Sequence, residues 1–389
     1  MPTPRPYARG AVFAGVGAGA VALYTSGGNV LARLRTRSRS SEEKGLCFDT
    51  AGNLYVTNFD VSTISKFDGR GRLTQDPWGG RFSKDPESCA ADDAGRVYVG
   101  EAHGAKRILK LTSGGKLLAA YKPRGENEGP NWIDLAADQC TLFYTSAGSG
   151  VKRFDVCRGR QLLDFARAPD GQCYALRLRP NGDVLVACSA QVYRLDKAGR
   201  VLRAYTTRAL GEKSILYALA LDPDGASFWT AGFESGRVYR VDIATGRVLG
   251  RFTAPPYQVL GGLAVAGDAA AAQLTPQSPA CRPYRTALSL TVRIPATPAH
   301  GHQVAVRLLT QPRAQVGVAV QVATAKGVYR TLTGAANAGL AGMTDERGAY
   351  TGALALAYLP SKPTPARLIV TVYQGCASAT RTVPLTLQP

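Results

Sequence analysis

The chain is 389 residues long and strongly basic, with 47 Lys and Arg against 28 Asp and Glu, a formal charge of +19. Its 43 Gly and 23 Pro at low charge density suit an all-β protein rich in turns. No uninterrupted apolar run reaches the ~18 residues of a membrane-crossing helix. Three His and no Cys-x-x-Cys argue against a zinc site.

In chain order, the first element is GAVFAG from Gly10, and it recurs. GNLYVT from Gly52, GRVYVG from Gly95, CTLFYT from Cys140, GDVLVA from Gly182 and GASFWT from Gly225 share its pattern. Each copy leads into a turn and two further strands, as in ISKFDGRGRL and RVYRVDIATGRVL. A period of about 42–45 residues carrying short alternating strands is that of a β-propeller blade. The first copy also resembles a leader, because Ala11–Leu23 is apolar and preceded by Arg5 and Arg9. However, Gly10–Gly19 aligns with Gly95–Gly104, and Ala20–Leu34 aligns with Arg107–Tyr121 through a shared TSGG turn. A cleaved leader has no reason to copy a later hairpin in register, so strands are expected here and no cleavable signal.

The first blade lacks the innermost strand that the others carry upstream: GLCFD (Gly45–Asp49), SCAAD (Ser88–Asp92), IDLAAD (Ile133–Asp138), YALRLRP (Tyr174–Pro180) and YALALDP (Tyr217–Pro223). GGLAVAG (Gly261–Gly267) is a sixth copy without outer strands, so it should pair with the N-terminal three and close a ring of six blades over 1–268. Tyr55, Tyr98, Phe143 and Trp229 recur at one blade position and read as the packing layer between blades.

Ala269–Pro283 reads as a linker, and 284–389 as an antiparallel sandwich of about six strands. These are Thr286–Ile294, His302–Thr310, Val316–Thr324, Ala349–Leu359, Ala366–Gly375 and Thr380–Leu387. About half the excess positive charge lies in this small segment. It suits long-range attraction to a polyanion such as lipopolysaccharide, an acidic glycan or an acidic protein, or plain solubility. Arg33, Arg35, Arg37 and Arg39 have no interleaved aromatics, so no specific nucleic acid is expected.

Eight cysteines point to an oxidising compartment. Cys140 and Cys157 oppose each other across one hairpin, which suits a disulfide. Cys173 and Cys188 flank the Pro180–Asp183 turn two residues out of strict opposition. Cys281 and Cys376 are the natural pair of the C-terminal segment. Cys47 and Cys89 lie on innermost strands of neighbouring blades and read as core thiols, with a bond between them left open.

FDTAGNLYVTNF (Phe48–Phe59) and LDPDGASFWTAGF (Leu221–Phe233) resemble NHL-repeat and senescence-marker/gluconolactonase-like propellers. AGMTDERGAYTGALAL (Ala341–Leu356) and the ARLIVTV strand resemble bacterial immunoglobulin-like repeats, modules that act as spacers, stalks or docking surfaces. The first resemblance implies one divalent metal at the channel mouth, held by Glu, Asn and Asp oxygens. Glu87 and Asn131 match two of those positions. The later aspartate is missing in Ser214–Ala218, and Lys44 stands nearby. Asn58 and Glu101 are the remaining oxygen donors at strand ends, enough to hold Ca²⁺ weakly, while polar lining of a wet channel accounts for the same set. Glu101 and His103 are the candidate acid–base pair. The sequence therefore favours a non-enzymatic binding or structural protein of a cell surface or virus particle, with no cofactor expected and an oligomer or larger assembly open to it. A Ca²⁺-dependent lactonase and a polyanion-binding module are the alternatives.

Overall fold

The computed structural model describes residues 7–169, 171–268, 291–293, 303–310, 315–323, 329–331, 340–344, 349–355, 363–374 and 377–387. It divides into two compact units, Met1–Ala280 and Cys281–Pro389. In the first, β1 (Val12–Gly15), β2 (Ala20–Tyr24) and β3 (Val30–Arg35) begin a sheet, so the apolar N-terminal stretch is strand and not leader-like helix. The second sheet is β4 (Glu43–Phe48), β5 (Leu54–Asn58), β6 (Thr63–Phe67) and β7 (Leu73–Gln75). The third is β8 (Pro86–Ala91), β9 (Val97–Glu101), β10 (Ile108–Leu111) and β11 (Leu117–Tyr121).

The fourth is β12 (Ile133–Leu135), β13 (Thr141–Tyr144) and β14 (Gly150–Asp155), with its outer strand split into β15 (Arg160–Gln161) and β16 (Ala166–Arg167). The fifth is β17 (Cys173–Leu178), β18 (Val184–Cys188), β19 (Gln191–Leu195) and β20 (Val201–Thr206). The sixth is β21 (Leu216–Leu221), β22 (Ser227–Gly232), β23 (Arg237–Asp242) and β24 (Val248–Thr253). Every pairing is antiparallel and between consecutive strands, save that β16 pairs with β14 and β25 (Gly262–Val265) joins β1.

The aspartate that ends an inner strand explains the repeated turn. Asp49 Oδ1 accepts the amides of Ala51 and Asn53, each at 2.9 Å, and Asp92 does the same for Ala94 and Arg96. Gly52 and Gly95 supply the left-handed residue that the turn needs, at φ 81° and 76°. The second oxygen of the turn aspartate reaches the buried aromatic layer. Tyr55 Oη donates to Asp49 Oδ2 at 2.9 Å, and Trp229 Nε1 donates to Asp222 Oδ2 at 2.9 Å. One side chain thus fixes the turn and satisfies the polar end of a buried ring.

Closure is by pairing of distant strands. Val12 faces Val265, Phe13 faces Ala264, Ala14 faces Leu263 and Gly15 faces Gly262. The inner strands neighbour one another in the order β4, β8, β12, β17, β21, β25 and back to β4. The approach of β25 to β4 leaves no room for side chains. A Cβ on Gly262 would lie 1.6 Å from the Lys44 carbonyl oxygen, and one on Gly15 would lie 2.0 Å from that of Glu43.

Three disulfides are present among the described residues. Cys140–Cys157 closes a hairpin. Cys173–Cys188 pairs residues that face each other directly, because a register shift between Cys173 and Leu176 removes the two-residue offset of the sequence. Cys47 and Cys89 are not core thiols: they are bonded, joining the inner strands of the second and third sheets across one repeat, 42 residues apart. Cys281, Cys376 and the linker lie outside the described residues.

The second unit contains two antiparallel sheets. One joins Thr291–Arg293, Gln303–Leu309 and Ala349–Ala355. The other joins Tyr329–Thr331, Gln315–Ala323, Thr364–Gln374 and Ala377–Leu387, with Leu340–Met343 also on Gln315–Ala323. Its core takes Val306 and Leu308 from the first sheet. Val316, Val318, Leu368, Val370 and Val372 come from the second, where alternate residues are buried as a half-covered strand requires.

Gly262→Ala is expected to lower stability by about 3 kcal/mol in urea unfolding, because backbone must move to admit the methyl group. Gly250→Ala, with open space around it, should stay within about 0.5 kcal/mol of the parent. Loss of Cys47–Cys89 through Cys47→Ala with Cys89→Ala should cost about 4 kcal/mol, against about 3 for the shorter Cys140–Cys157 loop, on the same assay.

Candidate functional site

An antiparallel meander puts its first and third turns at one end of each sheet and its second turns at the other. The inner strands begin at that second end, and there side chains from five sheets meet. Glu87, on β8, is buried with three donors around its carboxylate. Tyr217 Oη from the sixth sheet donates to Oε1, Asn131 Nδ2 from before β12 donates to Oε2 at 2.9 Å, and Lys44 Nζ on β4 lies 3.5 Å from Oε1. Lys44 also meets Glu42 at 3.3 Å, and its ammonium sits 3.5 Å from the Phe59 ring centroid and 5.3 Å from that of Tyr217. Tyr217 stacks on Tyr174 at 4.8 Å and on Phe233 at 4.5 Å. Burial drives the Tyr217 phenol well above its usual range, and the Glu87 charge adds to it, so the hydroxyl remains a donor.

Of the residues singled out in the sequence, the structure brings Glu87 and Asn131 into direct contact. Glu101 is engaged elsewhere: Arg107 Nε donates to it at 2.9 Å and the Ser83 amide at 2.7 Å. The Asn58 amide donates to Thr63 and Ser65. His103 is not paired with Glu101. Its Nδ1 lies 2.9 Å from Asp85 Oδ2 and its Nε2 3.3 Å from Glu128 Oε1, with the ring edge-on to Phe59. No group of three or more His, Cys, Asp or Glu suited to a metal occurs among the described residues.

Sequence reasoning missed Tyr217, Tyr174 and Glu128. The two tyrosines had a signal, since YALRL and YALAL begin equivalent inner strands with the same aromatic residue. Glu128 had none, lying in an irregular connection.

Deeper in the ring, at the position paired with the aromatic layer, stand Cys47, Ala90, Asp134, Arg177, Ala220 and Ala264. Arg177 is the longest side chain of this set. It bonds to Asp268, lies 3.5 Å from Asp134 and is itself buried. Burial opposes its charge, but Asp268 and Asp134 outweigh it and hold the guanidinium above its ordinary pKa. Burial likewise raises the Asp134 carboxyl, against the pull of Arg177.

No protein-family model matches the chain, and no curated protein matches it. Among solved structures, a protein of unknown function from Bacteroides caccae superposes with a TM-score of 0.52 at 14% identity, over 66% of this chain and 98% of its own. A chain of the nidogen/laminin complex does so with 0.53 at 15% identity, again over 66% and 98%. The WD40 β-propeller domain of Doa1 aligns at 0.48 and 17% identity, over 65% and 81%. At these identities likeness concerns fold alone. The class so defined is the β-propeller, built here from four-stranded antiparallel sheets with about one helical turn, Thr207–Leu210.

Glu43, beside the mouth, is buried, and burial pushes its carboxyl from 4.5 up to about 7; the amides of Ala20 and Gly17 pull the other way, and Asp60 adds to the rise. The folded state therefore holds this proton more tightly than the unfolded chain. Stability from this group is fully present below about pH 4.5, falls as pH rises to about 7, and is level above. The loss is about 3 kcal/mol at order of magnitude. Urea titrations from pH 4 to 8 should show Glu43→Gln lacking this slope and exceeding the parent in stability above about pH 7.

Proposed function

We propose that the protein is a non-enzymatic interaction platform: a six-bladed propeller of NHL-like type over 1–268, a linker over 269–283 and an immunoglobulin-like domain over 284–389. The propeller would offer its mouth to a protein or acidic glycan, with the basic C-terminal domain as anchor or spacer. The observation that most supports a binding role is the engagement of Glu87. A general base or metal ligand works through lone pairs turned to substrate or ion, whereas this buried carboxylate already faces Lys44 and Tyr217 at Oε1 and Asn131 at Oε2. Around this fixed floor, Phe59, Tyr174 and Phe233 give the partly exposed aromatic rim that suits recognition. Three disulfides are the chemistry of an oxidising compartment, in keeping with display on a cell surface or virus particle. No described helix is long and apolar enough to cross a membrane.

A Ca²⁺-dependent lactonase-type hydrolase is the second reading, and one observation favours it. Asn131 Nδ2 lies between Glu87 and Glu128, while its Oδ1 is buried without a hydrogen-bond partner. Turned over, that amide would set three oxygens about one point.

Calorimetry with Ca²⁺, Mg²⁺ and Zn²⁺ separates the two. The platform reading expects no stoichiometric heat with any of them. Tight one-to-one binding that vanishes in Glu87→Gln would select the metal-dependent hydrolase instead.

A further inference from the structure

The mouth brings together an amine, a carboxylate and a primary amide: Lys44, Glu87 and Asn131, all three buried. They come from three successive sheets. Lys44 lies on β4 and Glu87 on β8, and Asn131 stands two residues before β12. Glu87 faces both of the others, with Lys44 Nζ 3.5 Å from Oε1 and Asn131 Nδ2 donating to Oε2 at 2.9 Å. Tyr217 Oη donates to Oε1 and fixes the orientation of the carboxylate. The cover is largely aromatic. The Lys44 ammonium sits 3.5 Å from the Phe59 ring centroid, and Trp132, next to Asn131 in the chain, is buried as well.

A lysine amine becomes a nucleophile once it gives up a proton, and a carboxylate beside it is the group that takes one. Here the same carboxylate also touches the nitrogen that would leave. Reaction moves Nζ from Glu42, 3.3 Å away, round Glu87 to the Asn131 amide carbon. Attack forms a bond from Nζ to Cγ, and collapse breaks the bond from Cγ to Nδ2. Lys44 gives up two protons in all; Glu87 carries them to Nδ2, which departs as ammonium ion. Atoms and charge balance with no oxidant, reductant or further reactant. Asn131 Nδ2 also reaches Glu128 Oε2 at 2.5 Å, so the departing nitrogen has a carboxylate on either side. Burial holds amine and amide at high effective concentration and keeps out water, the competing nucleophile.

We propose that Lys44 and Asn131 join in an isopeptide bond, with Glu87 as the catalytic base. The bond ties the second sheet to the fourth across the third, near Cys47–Cys89, which ties the second to the third. Unlike that disulfide, it withstands reduction.

The test is the intact mass of the full chain after reduction, followed by tryptic mapping. Loss of one ammonia, about 17 Da, is expected, with a branched peptide that joins Lys44 to Asn131. Trypsin should no longer cut after Lys44. Glu87→Gln and Lys44→Arg should each show the full sequence mass and no branched peptide. Lys44→Arg keeps a cation beside Glu87, so its mass reads the missing amine even where Glu87→Gln folds poorly. Three results would overturn the proposal. One is a parent chain at full sequence mass. Another is ammonia loss that maps to Asn181-Gly182, where a succinimide gives the same shift. The last is a branched peptide undiminished in folded Glu87→Gln, which removes the carboxylate from the reaction.

Discussion

The four-residue ladder between β1 and β25 is the constraint on which the propeller rests. Without it the first sheet would have three strands and an open inner edge, and the ring an unsatisfied gap. The ladder works because glycine stands on both sides: Gly15 and Gly262 let β1 and β25 lie against the backbone of β4. Lys44, whose carbonyl meets Gly262, is also the residue whose ammonium anchors the mouth. Ring closure and the position of the one buried lysine at Glu87 are therefore a single packing event.

Two polar layers are stacked inside that ring. At the mouth, Glu87 gathers donors from the second, fourth and sixth sheets; deeper down, Arg177 ties the fourth and fifth sheets to Asp268, three residues past β25. Buried ion pairs of this sort add little net stability over apolar packing, because desolvation offsets attraction. What they do supply is order. A guanidinium that must find both Asp134 and Asp268 penalises any arrangement in which the sheets close in a different sequence.

Much of the architecture was legible in the repeat, because a blade is a local object: the strand, the Asp-x-x-Gly turn and the buried aromatic fall within about a dozen residues of one another. The pairing of GGLAVAG with the first strands was legible too, as the missing member of a counted set. What escaped reading depends on contacts between blades or on local irregularity. Tyr217 and Glu87 are 130 residues apart, and nothing in either neighbourhood names the other. Cys47 and Cys89 looked like apolar filler because each is the lone cysteine of its own inner strand; only the contact of β4 with β8 makes them partners. The offset at Cys173 vanished through a bulge that the YALRL pattern does not announce, and the outer strand of the fourth sheet is split into β15 and β16, unlike those of the other repeats.

The span from Val12 to Val265 also has a temporal meaning. A ribosome delivers the first hairpins long before it delivers their inner neighbour, so during synthesis β1 waits with bare amides and carbonyls along one side. Contacts of such sequence separation are slow to form, and an uncovered strand is open to wrong pairings until they do. The nascent chain should therefore be most in need of chaperone cover in the interval before the last strand emerges, and a truncation that removes only Gly262–Val265 should aggregate although every other sheet is encoded.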